Sequence, residues 1–290
     1  MLMMASAATG LLYEQGDWSS LWWLPKHGSA PTPGQQVAIA GDSTTLPHLI
    51  FVPAGVPPTP DGWPLVVFLH GQGESSGASP LENVALQGPP QQAGRHPSHL
   101  PFAVLSPQKP LETEFFDPQV GSGIVSLIER YIAAHKLDAS RVYLTGLSQG
   151  GIGTWGLASD PHYAARFAAI APVCGGLVRG NLKHAASVLA ETPIWAFHGA
   201  NDHILPVHLS DESVAAANAH PGRANGRAGE AKYTRIPEAR GSDPAWAAAG
   251  VPQMEGHASW VDAYYPAGTK VSQMASVPLY QWLLSHRRPQ

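Results

Sequence analysis

Two stretches of the chain, Gly73-Glu74-Ser75-Ser76-Gly77 and Gly146-Leu147-Ser148-Gln149-Gly150, share the spacing G-x-S-x-G. In that pattern a serine stands between two glycines on a sharp turn, free to attack a carbonyl carbon. A chain with 30 glycines meets so short a pattern by chance, so the flanking residues must decide between them. The turn works when a strand runs straight into it and a helix leaves it, because the helix N-terminus then faces the negative charge that develops on the carbonyl oxygen. "RVYLTGLSQGGIGTWGLASD" supplies this arrangement, with an apolar strand at Val142 to Leu144 and a helical segment running to Ala158. Ser75 lies beyond the end of its strand, and Gly77 and Pro80 delay any helix after it. Ser148 is the expected nucleophile.

The first segment has another use. Acyl transfer needs backbone N–H donors aimed at the oxyanion, one from the residue after the nucleophile and one from the loop that follows an earlier strand. His70-Gly71-Gln72-Gly73 is such a loop in position and composition. The amides of Gln72 and Gln149 are the expected pair.

A serine hydroxyl also needs a base, and the base needs a carboxylate to fix its tautomer. In hydrolases built on the G-x-S-x-G turn the chain order is serine, acid, histidine, with the last two placed after late strands. "PIWAFHGANDHILPVHLS" puts Asp202 in a turn just after an apolar run, and "MEGHASWVDAYYP" puts His257 in a glycine-led loop further on. Asp202 is the expected acid and His257 the expected base. Glu74, Glu255 and Asp262 are rival carboxylates, with Glu255 the closest competitor. His70, His198 and His203 abut turns, show no metal-ligand spacing, and are read as structural. Neither a metal nor another cofactor is expected.

These groups need elements to hold them. Apolar runs at Leu65 to Leu69, Phe102 to Leu105, Val142 to Leu144, Phe167 to Ile170 and Ile194 to Phe197 read as parallel strands covered on both faces, with Tyr233 to Ile236 as a further strand. Ile124, Leu127, Ile128, Tyr131 and Ile132 form one apolar stripe of a crossover helix. Val207 to Ala219 and Pro278 to His286 also read as helices. The alternation predicts an α/β fold: a mostly parallel, doubly wound sheet with helices on both faces and its site at the carboxyl ends of the strands. Residues 45–290 are expected to form that domain, with a long loop at 237–256. Residues 1–44, which carry Trp18, Trp22 and Trp23, read as a loop-rich extension packed on it.

Composition narrows the partners. A net charge of −4 with 13% charged residues and no basic run speaks against nucleic acid, and no apolar stretch is long enough to span a membrane. The single cysteine, Cys174, can form neither an intramolecular disulfide nor a cysteine-based metal site, and reads as a small buried hydrophobe. The N-terminus lacks the basic and apolar regions of a secretory signal, so a cytoplasmic location is expected. Residues 1–10 are small and acid-free, as in organelle-targeting peptides, but carry no Arg. Nothing in the sequence indicates an oligomeric state.

"WPLVVFLHGQGESS", "PFAVLSPQ", "LDASRVYLTGLSQGGIGTWGLA", "RFAAIAPVCGG", "PIWAFHGANDHILP" and "PLYQWLLSHRR" together resemble α/β-hydrolases of the carboxylesterase, phospholipase and "predicted peptidase" type. These are related to feruloyl esterases and polyhydroxybutyrate-depolymerase-like esterases. The resemblance spans about Leu46 to Arg288. It implies a small-molecule ester substrate, Ser148, His257 and Asp202 as a catalytic triad, and the 70–73 loop as oxyanion hole. Amide and thioester cleavage use the same groups, and a non-catalytic binding protein on this scaffold is the alternative from another class. The family often carries His-Asp-x-Trp where this chain has His257-Ala258-Ser259-Trp260. Trp260 and Trp155 are candidate walls of an acyl pocket, with packing the simpler role for Trp155.

Overall fold

Along the strand Trp63–Leu69, Leu65, Val67 and Leu69 enter one apolar cluster while Val66 and Phe68 enter another, so this strand is buried on both faces. The computed structural model describes residues 23–178, 182–224, 226, 228–239, 256–266 and 276–289. Among them nine strands form one sheet: β1 (Lys26–His27), β2 (Gln36–Ile39), β3 (His48–Phe51), β4 (Trp63–Leu69), β5 (Ala103–Pro107), β6 (Leu137–Leu147), β7 (Ala169–Val173), β8 (Trp195–Gly199) and β9 (Lys232–Ile236). Their spatial order is β1-β2-β3-β5-β4-β6-β7-β8-β9. Only β3 runs against its neighbours β2 and β5; every other described pairing is parallel.

Helices cover both faces, as parallel strands require. On one side, helix α2 (Pro118–Ala134) buries Ile124, Leu127, Ile128 and Tyr131 against the odd-numbered residues of β4. This is the stripe that the sequence pattern predicts. Trp155 and Leu157 of α3 (Gln149–Ala158) and Val214 and Ala217 of α5 (His208–Asn218) join the same layer, while α4 (Leu182–Val188) buries Ala185 and Ala186. The opposite layer is built by α1 (Gly88–Arg95), α6 (Trp260–Tyr264) and α7 (Pro278–Leu284), whose Ala93, Tyr264, Tyr280 and Leu283 pack with Phe68 and Tyr143.

All six strands expected from the apolar runs are present. Strands β1 and β2, at one margin of the sheet, and α1 are not expected from the sequence. β1 and β2 fall inside the stretch expected to be loop-rich, and Trp23 is buried there with Ala38 and Leu49 beneath the Arg95 guanidinium. Helix α1 begins Gly-Pro-Pro, a sequence that reads as a loop; its prolines sit in the first turn, where no N–H is needed. Trp18, Trp22 and residues 240–255 of the late loop lie outside the described residues.

Candidate active site

Strand β6 ends at Leu147 and α3 begins at Gln149, so a single residue turns the chain. That residue, Ser148, has φ 56° and ψ −120°, a conformation that L-residues rarely adopt and that costs about 1–3 kcal/mol. The surroundings hold it there. Its N–H points at the Val173 carbonyl and the Cys174 Sγ, each at 3.1 Å, and its carbonyl accepts from Ile152 at 3.0 Å. Gly150 must lack a side chain, since a Cβ would stand 2.0 Å from the Leu69 carbonyl oxygen. The turn is thus clamped against the carboxyl ends of β4 and β7.

The Ser148 Oγ lies 2.9 Å from Nε2 of His257, and Nδ1 of His257 lies 2.7 Å from Oδ2 of Asp202. With Nδ1–H donating to the carboxylate, Nε2 is left to accept the serine proton. The three residues come from β6, the turn after β8, and the loop before α6. Gly256, at φ +78°, lets that loop lie on the acid turn, where a Cβ would meet the Asn201 carbonyl oxygen at 2.3 Å. His257 is 3% exposed, and the Trp260 ring stands edge-on to it at 5.5 Å.

Asp202 is fully bonded. Oδ1 accepts from the Ile204 and Leu205 N–H groups at 2.8 and 2.9 Å, while Oδ2 accepts from His257 and, at 3.1 Å, from Nε2 of His198. Burial opposes its ionisation, but bonds from His198 and His257 and the charge of His257 override this and hold its carboxyl well below the usual carboxylate range. Among the described residues Asp202 is the only carboxylate bonded to His257; Glu255 lies outside them.

The 70–73 loop runs beside the serine. A Cβ built on Gly71 would lie 3.8 Å from Cβ of Ser148. Gln72 opens the short helical turn Gln72–Glu74 and Gln149 opens α3, positions whose N–H groups have no partner within their own helix. His70 pins the loop, with Nδ1 2.6 Å from the Gly71 carbonyl and Nε2 accepting the Lys109 N–H at 3.2 Å. Burial, aided by the Lys109 charge and opposed by the Gly71 bond, pushes the His70 imidazole down to about 3, so it remains neutral and keeps this tautomer. Glu74 is buried next to Gly71, and burial raises its carboxyl to about 7.

Ser75, the other glycine-flanked serine, has ordinary extended backbone at φ −64° and ψ 146° and is fully buried. Its hydroxyl accepts from Lys109 Nζ at 3.1 Å. Cys174, which has φ 41°, is also buried, and burial pushes its thiol far above its ordinary value, which leaves it protonated behind Ser148. Trp155 and Trp260 are 0% and 4% exposed, and their indoles donate to the Gly175 carbonyl and to Gln87 Oε1. An open cleft of about 440 Å³ runs along α3 between Phe116, Ile152, Leu177 and Val178, and neither these tryptophans nor Ser148, Asp202 or His257 line it.

His198, which the sequence reads as structural, touches Asp202. The only available signal was its place in "HGAND", at the end of a strand and within reach of the acid turn. His203 is exposed. Among the described residues no group of three His, Cys, Asp or Glu side chains could hold a metal ion, and no helix is long and apolar enough to cross a membrane.

A family model described as esterase PHB depolymerase matches residues 118–223, a span that includes Ser148 and Asp202. A solved thermostable esterase is 27% identical over 85% of this chain, with a TM-score of 0.57. The chain spans 61% of that protein's length. A fluorophosphonate-binding serine hydrolase of Staphylococcus aureus, solved with substrate bound, is 14% identical over 71% of this chain and 91% of its own, with a TM-score of 0.51. No curated protein matches the chain by sequence. The fold is that of the α/β-hydrolases, and the family model and the 27% identical structure both carry the description esterase.

Proposed function

We propose that this α/β-hydrolase is a serine esterase that needs no cofactor. One observation carries the reading: a continuous line of hydrogen bonds from Asp202 through His257 to Ser148, ending on a serine in a strained turn. In the proposed reaction His257 takes the proton of Ser148 as its Oγ attacks the ester carbonyl carbon. The Gln72 and Gln149 N–H groups receive the charge on the carbonyl oxygen. His257 then returns the proton to the leaving alcohol, which leaves an acyl group on Ser148. Water, deprotonated by the same imidazole, releases the acid. Asp202 stays ionised throughout and holds the imidazole in the tautomer that can accept.

The resemblance to feruloyl and polyhydroxybutyrate-type esterases favours carboxylic esters with small or aromatic acyl groups. The test uses a matched nitrophenyl ester and nitroanilide with the wild-type chain and Ser148→Ala. The ester should be cleaved faster than the anilide, and the variant should cleave neither. A faster anilide rate would reassign the protein to amide hydrolysis, and undiminished ester cleavage by the variant would remove Ser148 from the chemistry.

A further inference from the structure

We propose that His198 is a positioning residue of this site, acting on the reaction only through Asp202. The inference rests on the esterase reading above. His198, the penultimate residue of β8, is fully buried and places Nε2 3.1 Å from Asp202 Oδ2 and 2.9 Å from the Leu205 carbonyl oxygen. Both neighbours only accept, so Nε2 carries a hydrogen and shares it between them. The other ring nitrogen is 2.7 Å from Ser210 Oγ, and that oxygen is 2.6 Å from the Gly175 carbonyl, which also receives the Trp155 indole N–H. The ring is therefore tied at both nitrogens. Its anchors come from α5 and from the loop after β7.

The contact matters because of which oxygen it touches. Oδ1 is held by two backbone N–H groups of its own turn, but Oδ2, the oxygen that accepts the His257 hydrogen bond, has among the described residues only the two imidazoles. A carboxylate turns easily about its last torsion. Without His198, Oδ2 keeps only His257 and, through the rigid carboxylate plane, the two N–H bonds made to Oδ1, and it loses the one donor that fixes it independently of the imidazole it must align. With His198, Oδ2 is a fixed point against which His257 is aligned. A purely structural ring at this depth has no need to donate to Asp202, and a buried polar network of this kind is a weak source of stability compared with an apolar side chain of similar size. Ordering of the reacting groups acts on turnover rather than on substrate binding.

The test compares His198→Leu, which removes the donor, with His198→Gln, whose amide N–H can reach the place of Nε2. Turnover of a nitrophenyl ester and the rate of phosphonylation by a fluorophosphonate are measured for each, alongside the melting temperature. The Leu variant should fold and lose about 10-fold or more in both rates, with KM unchanged, and the Gln variant should recover most of the loss. Full turnover in a folded Leu variant would overturn the proposal. So would a Gln variant as slow as Leu, or a loss confined to KM. Should the Leu variant not fold, Ser210→Ala, which loosens the ring without touching Asp202, should lower kcat several-fold at constant KM, and an unchanged kcat would overturn the proposal equally. Ser148→Ala, assayed in parallel, separates the two claims: activity surviving there defeats the esterase reading itself, whereas an inactive Ser148→Ala beside a fully active His198→Leu defeats only the positioning role.

Discussion

The two glycine-flanked serines differ in nearly everything except their pattern. Ser148 bridges a strand and a ten-residue helix in a backbone conformation that few side chains adopt, partly exposed and 2.9 Å from an imidazole. Ser75 ends a three-residue helical turn in relaxed extended backbone, fully buried and bonded to a lysine. The difference is imposed by what precedes each serine. Where a strand runs directly into the turn, the flanking glycines are crushed against neighbouring carbonyls and the serine is thrown forward. Where a loop intervenes, the glycines merely let the chain bend. The Ser75 segment still contributes, because the residues just before it bring the Gly71-Gln72 backbone beside Ser148 while Ser75 itself anchors that loop in the core.

This contrast can be broken in several ways, of which the largest concerns turnover. Ser148→Ala should lower ester hydrolysis by roughly 10⁴-fold or more, while Ser75→Ala should remain within a few-fold of wild type. Steady-state kinetics on both variants checks this, and a comparable loss in the two would erase the distinction. The glycines come next. Gly150→Ala drives a Cβ to 2.0 Å from a backbone oxygen and should cost upwards of about 3 kcal/mol or displace the turn. Gly77→Ala meets only the Leu111 Cβ at 3.9 Å and bears the cost of φ +89° alone, about 1–2 kcal/mol, as read by urea unfolding of both.

Glu74 sharpens the comparison through pH. Burial raises its carboxyl from 4.5 to about 7, so the folded state holds a proton that the unfolded state releases between those values. Stability must fall as pH rises through that window, by on the order of 3 kcal/mol, and the loss is constant above it. Glu74→Gln removes the dependence. The melting temperature of this variant relative to wild type should climb from pH 4.5 to 7 and then level off, whereas a flat difference would contradict the buried, protonated carboxyl. The smallest effect is expected at Ser75 itself, where Ala removes one of three oxygen partners of Lys109 and should cost about 1 kcal/mol in thermal unfolding.

The interior strands and the long crossover helix were legible because burial on both faces writes continuous apolar runs and a 3.6-residue stripe. β1 and β2 were not, since Lys26–His27 is too short to show any pattern and Gln36–Ile39 sits among Gly and Pro. Helix α1 hid behind two prolines that are harmless only at a helix start. At the site, Ser148, Asp202 and His257 could be singled out because each follows a recognisable strand or a glycine-led turn in the expected order. The approach of His198 to Asp202 could not. It depends on how the turn after β8 folds back on its own strand and on where α5 places Ser210, and neither leaves a periodic trace in the sequence.

The most direct measurement is covalent. The chain is labelled with a fluorophosphonate, digested, and the modified peptide sequenced by mass spectrometry. The account predicts a single adduct on Ser148, abolished in Ser148→Ala and unaffected in Ser75→Ala; an adduct on Ser75, or a folded chain that takes up no label at all, would contradict it.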